Sequence, residues 1–465
     1  MPKLRQPATL QKMALDAIFQ YVVLWCNRTS VEGSLDELTH GISVMKTNVI
    51  CRLPWFMVAD FSARFMDFLS RFYCAFNSLI YIEATLELFM DMEIVGLQFR
   101  GPMVDFLDPR NGWRLRRLVE LDLDYVSHSI SMNLQNFYLN DLTSFMFARR
   151  CTDLDLSVIG RNCPKLQVIR VSKSRRVTDK GLASLSQCSD LRFIDVHKCS
   201  VTHSGLNRML LVHKKLEKIT DVAFDTMCHL DWTVCPSINH FATDDRVSAK
   251  HLRKIVTKFP NITYLYMHGK ITENLYILQN LDKLTGLDLK FSLKQFDNEV
   301  RMLWTNIMGL LRFIGANLTT LKLGSCDTTN SGVGIVMGQD KIDYIFNTCP
   351  NLECFKFIHN EKLIVIPSFA KLKVLTPQCS FNYDDYPLEI LCIPTIKFNK
   401  LPNLESLSLY HYDVSCKTVR SIMLDNDKFP KLSVIKDVRL RYECLEELRR
   451  IARMKNLKFE IINGY

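Results

Sequence analysis

One pattern recurs along most of this chain and restricts what it can fold into: a small or apolar residue, often next to Pro, followed by Leu-x-x-Leu-x-Leu. The clearest copies run from Cys163-Pro164-Lys165-Leu166 to Val171 and from Cys188-Ser189-Asp190-Leu191 to Val196. Taking the first Leu or its equivalent as an anchor gives positions 118, 134, 166, 191, 216, 238, 262, 284, 318, 352, 372, 404, 432 and 457, with 134, 238 and 372 the least regular. From 118 to 457 there are 339 residues over 13 intervals, a mean of about 26, and periods of about 20–29 residues are typical of units that stack on one another.

The physics of one unit explains the pattern. The last two apolar positions alternate with polar ones, as one face of a short strand requires. Ile169, Val171, Ile194 and Val196 are therefore assigned to the core, and their neighbours to the opposite face. After the strand, Val177-Thr178-Asp179-Lys180-Gly181-Leu182 supplies a helix start, with Thr178 or Asp179 as N-cap, and Val201 through Leu206 repeats that grammar. Strand, turn and helix in about 26 residues build an α/β solenoid, curved, with parallel strands on its concave side. The chain has 465 residues, beyond the size of one ordinary core. Residues 93–465 are assigned to the solenoid and residues 1–92 to a separate helical module.

The string Cys-Pro-x-Leu-x-x-Leu-x-Leu followed by Val-Thr-Asp-x-Gly-Leu resembles the cysteine-containing, ribonuclease-inhibitor-like subclass of the leucine-rich-repeat superfamily. The match is strong over 163–206, fair over 316–357 and looser elsewhere. That subclass is associated with F-box substrate receptors, so the resemblance implies a protein-binding solenoid.

Residues 1–92 lack the repeat. Leu10, Met13, Ala14, Ala17, Ile18, Tyr21, Val22 and Trp25 share one helical face. Thr9 through Ile18 resembles an elongin-binding box, with Ala14 where that motif has Cys. Leu53-Pro54-Trp55-Phe56-Met57 is similar to a cullin box, or to the Leu-Pro opening of an F-box, although no Val-Cys-x-x-Trp segment follows. Either resemblance implies a cullin-RING ubiquitin-ligase receptor, with Leu10, Ala14, Ile18, Leu53 and Pro54 meeting an adaptor of the elongin or F-box-binding type, and a cullin beyond it. A small helical module can equally serve as the cap that a solenoid's first repeat needs.

No sequence signature of catalysis, phosphate binding or metal ligation is present. Gly332-Val333-Gly334 lacks a third Gly, and the sixteen cysteines form no CxxC pair. The expectation is a non-enzyme without cofactor or metal, its thiols reduced and mostly buried. The first residues are polar and no uncharged apolar run reaches about 18 residues. No leader or membrane helix is expected, and the location is cytoplasmic, nuclear or both. The net charge of +10 is too diffuse to point to nucleic acid. Lys173-Ser174-Arg175-Arg176 is a basic cluster in a strand-to-helix turn, a solvated edge or a site for a phosphate-bearing or acidic ligand.

Strand alternation assigns the target-binding face. Arg170, Asp195, His197, Tyr264, Tyr266, His268, Asp288, Lys290, Lys322, Lys356 and Tyr410 are assigned to the concave side, together with Ser172, Phe193 and Ser408. The alternative places binding on loops at 291–316 and 377–400. The reading reached is a substrate-recognition subunit of a cullin-RING ligase that binds a target for degradation; the alternative is a leucine-rich-repeat scaffold or regulator with no ligase attachment.

Overall fold

The structure, a computed structural model, describes residues 96–100, 119–125, 139–220, 234–243, 247–269, 274–291, 297–325, 336–359, 361, 363–379, 395–409, 416–425, 427–436, 442–454 and 458–459, and a few positions between 17 and 48. The chain divides into two compact units, Pro7–Asp221 and Val222–Tyr465, the second taking in Met1–Gln6.

In the first unit, β1 (Gly96–Arg100), β2 (Glu120–Tyr125), β3 (Ser144–Met146), β4 (Val168–Arg170), β5 (Phe193–Asp195) and β6 (Lys218–Thr220) pair in chain order, all parallel. Helices α1 (Asp153–Asn162), α2 (Asp179–Ser184) and α3 (His203–Val212) return the chain between strands. Parallel neighbours joined by a helix at a period near 25 residues make this an α/β leucine-rich-repeat solenoid.

Register is set at the anchor. Leu166, Leu191 and Leu216 are fully buried, and each N–H closes a turn on the carbonyl three residues earlier, that of Cys163, Cys188 or His213. Burying such a Leu contributes about 2 kcal/mol. One residue beyond the anchor, a single carbonyl accepts two N–H groups of the next repeat. Thr143 O takes Gln167 and Val168 N–H at 2.8 and 2.9 Å, and Gln167 O takes Arg192 and Phe193 N–H at 2.8 and 2.9 Å. Ile169, Val171, Ile194 and Val196 are buried as their alternation requires.

A second ladder ties the helices together. Thr178 caps α2 with its hydroxyl on Lys180 N–H. Asp153, at the start of α1, accepts from Thr178 N–H (2.7 Å), Thr178 Oγ1 (2.6 Å) and Gly181 N–H (3.1 Å). Asp179 repeats this on Thr202 N–H (2.7 Å) and Thr202 Oγ1 (2.5 Å). A β-carbon on Gly181 would stand 2.4 Å from Asp153 Oδ1, so Gly there lets the carboxylate approach. His203 takes the place of Asp in the next repeat, and the acidic ladder stops.

The 118, 134 and 457 anchors lie outside the described residues. The repeat of β3 is anchored instead by Leu142, fully buried and two residues before the strand. It stands midway between 118 and 166.

The second unit carries β7 (His240–Thr243), β8 (Tyr264–Gly269), β9 (Gly286–Phe291), β10 (Thr320–Ser325), β11 (Val336–Met337), β12 (Cys354–His359), β13 (Leu363–Ile366), β14 (Val374–Cys379), β15 (Thr395–Phe398), β16 (Ser406–Ser408), β17 (Val434–Lys436) and β18 (Lys458–Phe459). Its main sheet runs β7-β8-β9-β10-β12-β14-β16-β17-β18 in parallel, with β11 beside β12. Ile238 and Leu372, the less regular anchors, are as buried as the others. The same double-acceptor junction recurs, from Asn239 O with Thr263 and Tyr264 N–H to Glu405 O with Ser433 and Val434 N–H.

The return segments differ from repeat to repeat. Helix α4 (Ala249–Lys258) is of ordinary length, whereas Leu275–Asn280 is a single stretch of 3-10 helix. Helix α5 (Asp297–Ile314) runs 18 residues, so most of the 291–316 segment is a helix packed on the core through Leu303, Trp304, Ile307, Leu310 and Leu311 rather than a loop, while 292–296 lies outside the described residues. Helix α6 (Gln339–Thr348) is followed by two strand returns, β13 and β15, which pair with each other. The Gln339 side-chain amide substitutes for one more strand neighbour, donating to Val365 O and accepting from Val365 N–H, both at 2.8 Å. Helices α7 (Cys416–Leu424) and α8 (Tyr442–Met454) complete the unit. Of the 377–400 loop, 377–379 and 395–398 are strand and 380–394 lies outside the described residues.

Candidate protein-binding surface

The outward residues of the second unit converge on one tyrosine. Parallel register places Tyr264 beside Gly286, and sets Tyr266, Asp288, Lys322 and Lys356 in one row across β8, β9, β10 and β12. Gly286 has no side chain to hold the Tyr264 ring away: a β-carbon there would lie 2.3 Å from Tyr264 Cδ2. The ring leans across β9, and its hydroxyl donates to Asp288 Oδ2 (3.2 Å) and accepts from Lys322 Nζ (3.3 Å). Lys322 Nζ is 3.7 Å from Asp288 Oδ2, closing a three-membered polar cluster. On the other side His240 of β7 stacks on Tyr264, ring centroids 4.5 Å apart and planes 6° apart. Lys290 Nζ lies over the Tyr266 ring at 5.3 Å.

The electrostatics follow from half-burial. Desolvation, and then the Asp288 charge, push the Tyr264 phenol above its ordinary pKa. Burial alone would lower Lys322; Tyr264 and Asp288 outweigh it and hold the ammonium above its usual range. Asp288 and Lys322 thus form an ion pair arranged around a neutral phenol. The cluster offers donors, an acceptor and two aromatic faces in fixed geometry, the composition in which binding hot spots are enriched. It contains no nucleophile–base pair.

In the first unit the Phe193 ring is sandwiched between Arg170 Cζ at 4.9 Å and Lys218 Nζ at 4.7 Å. Burial, and then the Arg170 charge, lower the Lys218 pKa. Asp195 Oδ1 accepts His197 N–H at 3.1 Å.

The assigned target-binding residues therefore fall into two groups. Arg170, Asp195 and His197 belong to the first unit. Tyr264, Tyr266, His268, Asp288, Lys290, Lys322 and Lys356 belong to the second, all half-buried on the strand face. Ser408 is buried, and Tyr410 lies outside the described residues. Of the adaptor residues, Leu10, Ala14, Leu53 and Pro54 lie outside them too, whereas Ile18 is helical and half-buried. Three contributors were not foreseen: His240, Lys218 and Gly286. His240 and Lys218 stand two residues after Ile238 and Leu216, the same offset that selects Tyr264 from Ile262.

Burial raises the thiols of Cys151, Cys163, Cys188, Cys199, Cys349 and Cys354 above their ordinary range. Burial pushes the Cys188 thiol up to about 11 and that of Cys349 up to about 12, and Cys188 Sγ donates to Cys163 O at 3.4 Å. Among the described residues no group of three or more His, Cys, Asp and Glu could hold a metal ion, and no helix is long and apolar enough to cross a membrane.

No protein-family model matches the chain, and no curated protein matches it significantly. Solved structures are similar at low identity. A crystal structure of the yeast Rad7 and Elc1 complex aligns at 12% identity, covering 93% of each chain, with a TM-score of 0.37. A leucine-rich-repeat protein of Leptospira interrogans aligns at 12% identity over 82% of this chain and 91% of its own, TM-score 0.33. An internalin of Listeria monocytogenes aligns at 14% identity over 74% and 94%, TM-score 0.34.

Proposed function

We propose that the chain is a target-binding protein of the leucine-rich-repeat type, serving as the substrate-recognition subunit of a cullin-RING ubiquitin ligase. The observation that carries the binding half is the Tyr264–Asp288–Lys322 cluster with His240 stacked upon it. Its polar groups and aromatic faces are held in place before a partner arrives, so little side-chain entropy is lost on binding. The attachment half is supported by the sequence resemblance of Thr9–Ile18 to an elongin-binding box and of the 163–206 repeats to F-box receptors. In this reading the chain performs no chemistry. It raises the effective concentration of a target beside a ubiquitin-charged enzyme.

Affinity purification of the full-length protein tests both halves. An elongin-type or F-box-binding adaptor and a cullin are expected with the full chain and with the Tyr264→Ala/Tyr266→Ala/His268→Ala variant, but not after Leu10→Asp. The triple variant is expected to lose target capture. Absence of any adaptor or cullin from the full-length preparation sinks the ligase reading and leaves the scaffold.

A further inference from the structure

The turns after β3, β4 and β5 hold a row of cations in a backbone conformation that side chains avoid. Arg149, Lys173 and Lys198 have φ of 71°, 62° and 53°, and each stands seven residues after its anchor, Leu142, Leu166 or Leu191. Left-handed backbone favours Gly, and after it Asn and Asp. None of these occupies any of the three positions.

The turns are stacked. Arg149 N–H donates to Ser172 O at 2.7 Å and Lys173 N–H to His197 O at 2.5 Å, so the three cations leave the backbone at about the 4.8 Å strand spacing. Arg150, Arg175 and Arg176 flank them, and all six are exposed. The carboxylates of this edge are engaged elsewhere: Asp153 and Asp179 in the helix ladder, Asp155 on Thr152. Among the described residues Arg149, Lys173, Arg175, Arg176 and Lys198 form no ion pair. Three like charges in strained turns repel one another, and local stability does not account for them.

We propose that this row is a docking surface for a protein partner bearing a short acidic segment rich in Asp and Glu. Its dimensions favour a peptide. Two strand spacings cover about 10 Å, and alternate side chains of an extended segment lie about 7 Å apart, within reach of long flexible cations. Along one strand of duplex DNA the phosphates stand about 3.4 Å apart, so a row of about 10 Å meets only about three of them, and single-stranded nucleic acid relies on aromatic platforms for its bases. The turns 148–152, 172–178 and 197–203 contain no Phe, Tyr or Trp. The inference holds for a ligase receptor and for a scaffold alike.

Fluorescence anisotropy on the full-length protein tests it, using a labelled peptide of alternating Glu and Ser, a Gln-for-Glu control and a short oligothymidine. The acidic peptide should bind, weaken as salt is added, and exceed the Gln control by about tenfold or more. Arg149→Asn/Lys173→Asn/Lys198→Asn should lose about as much affinity without melting lower, because Asn tolerates the left-handed turn. Arg175→Glu/Arg176→Glu, at positions of ordinary backbone, should lose it as well. Undiminished peptide binding by both variants overturns the proposal, as does oligothymidine binding more tightly than the peptide.

Discussion

From Leu142 to Leu216 successive anchors stand 24, 25 and 25 residues apart, whereas from Ile238 to Leu432 the spacing ranges from 20 to 34. The strand sides of the two regions are nevertheless built alike. Each has a buried anchor, a turn closing three residues before it, and one carbonyl accepting two N–H groups. They differ in the return. The regular region stitches its helices with Asp153 and Asp179 and pairs Lys165 with Asp141 and Lys215 with Asp190 just before the anchors. The irregular region puts Asn there: Asn261, Asn351 and Asn403 donate to Pro236 O, Ala316 O and Ala370 O at 2.9, 2.7 and 2.6 Å. An amide reaching a neighbouring carbonyl works whatever the length of the return, whereas an Asp–Thr ladder needs helices in constant register.

If the strand sides are equivalent, burying a charge in either should cost the same. Val171→Asp in the regular region and Met267→Asp at the matching offset, both fully buried, should each lose about 4 kcal/mol or more in denaturant unfolding. A mild effect at one alone would break the equivalence.

Two buried histidines test the regions through pH. Burial lowers the pKa of His213, which occupies the place held by Cys163 and Cys188, and lowers that of His359 to about 4. A depressed folded pKa means that the unfolded chain binds the proton first. Stability is therefore full above about pH 6.5 and falls as pH drops towards 4, by about 3 kcal/mol for His359. His359→Phe should remove most of that slope, and His213→Cys a smaller part. An unchanged slope in His359→Phe would place the acid sensitivity elsewhere.

Asp153→Ala removes three bonds to the neighbouring repeat and should cost about 2 kcal/mol. Asn351→Ala removes one bond to Ala316 O and should cost about 1 kcal/mol. Thermal melts of equal size would deny that the two stitching devices differ.

The strand half was legible because its apolar offsets are fixed by geometry, so even the degenerate anchors Ile238 and Leu372 were identified. Leu142 is not singled out by the pattern, because Leu134, Leu139 and Leu142 lie close together and only even spacing from 118 and 166 separates them. The return half was less legible. A mean period of 26 leaves no room for the 18 residues of α5, which exists because its own interval is 34 long, although Leu303, Ile307, Leu310 and Ile314 carry helical spacing. The surface was readable as a row and not as a cluster. Alternation names Tyr264, Asp288 and Lys322, but only strand register, and the missing side chain of Gly286, brings them into hydrogen-bond range.

The carbonyl that accepts twice has a consequence for how such a chain can change. Because each junction is closed within a few residues of its anchor, length added between anchors is not transmitted to the rows of outward side chains. Insertions and deletions on the helical side are thereby decoupled from recognition on the strand side. A lineage can lengthen one return from 22 residues to 34 while its neighbour's binding residues keep their alignment. The strand face can be selected for a partner while the opposite side drifts.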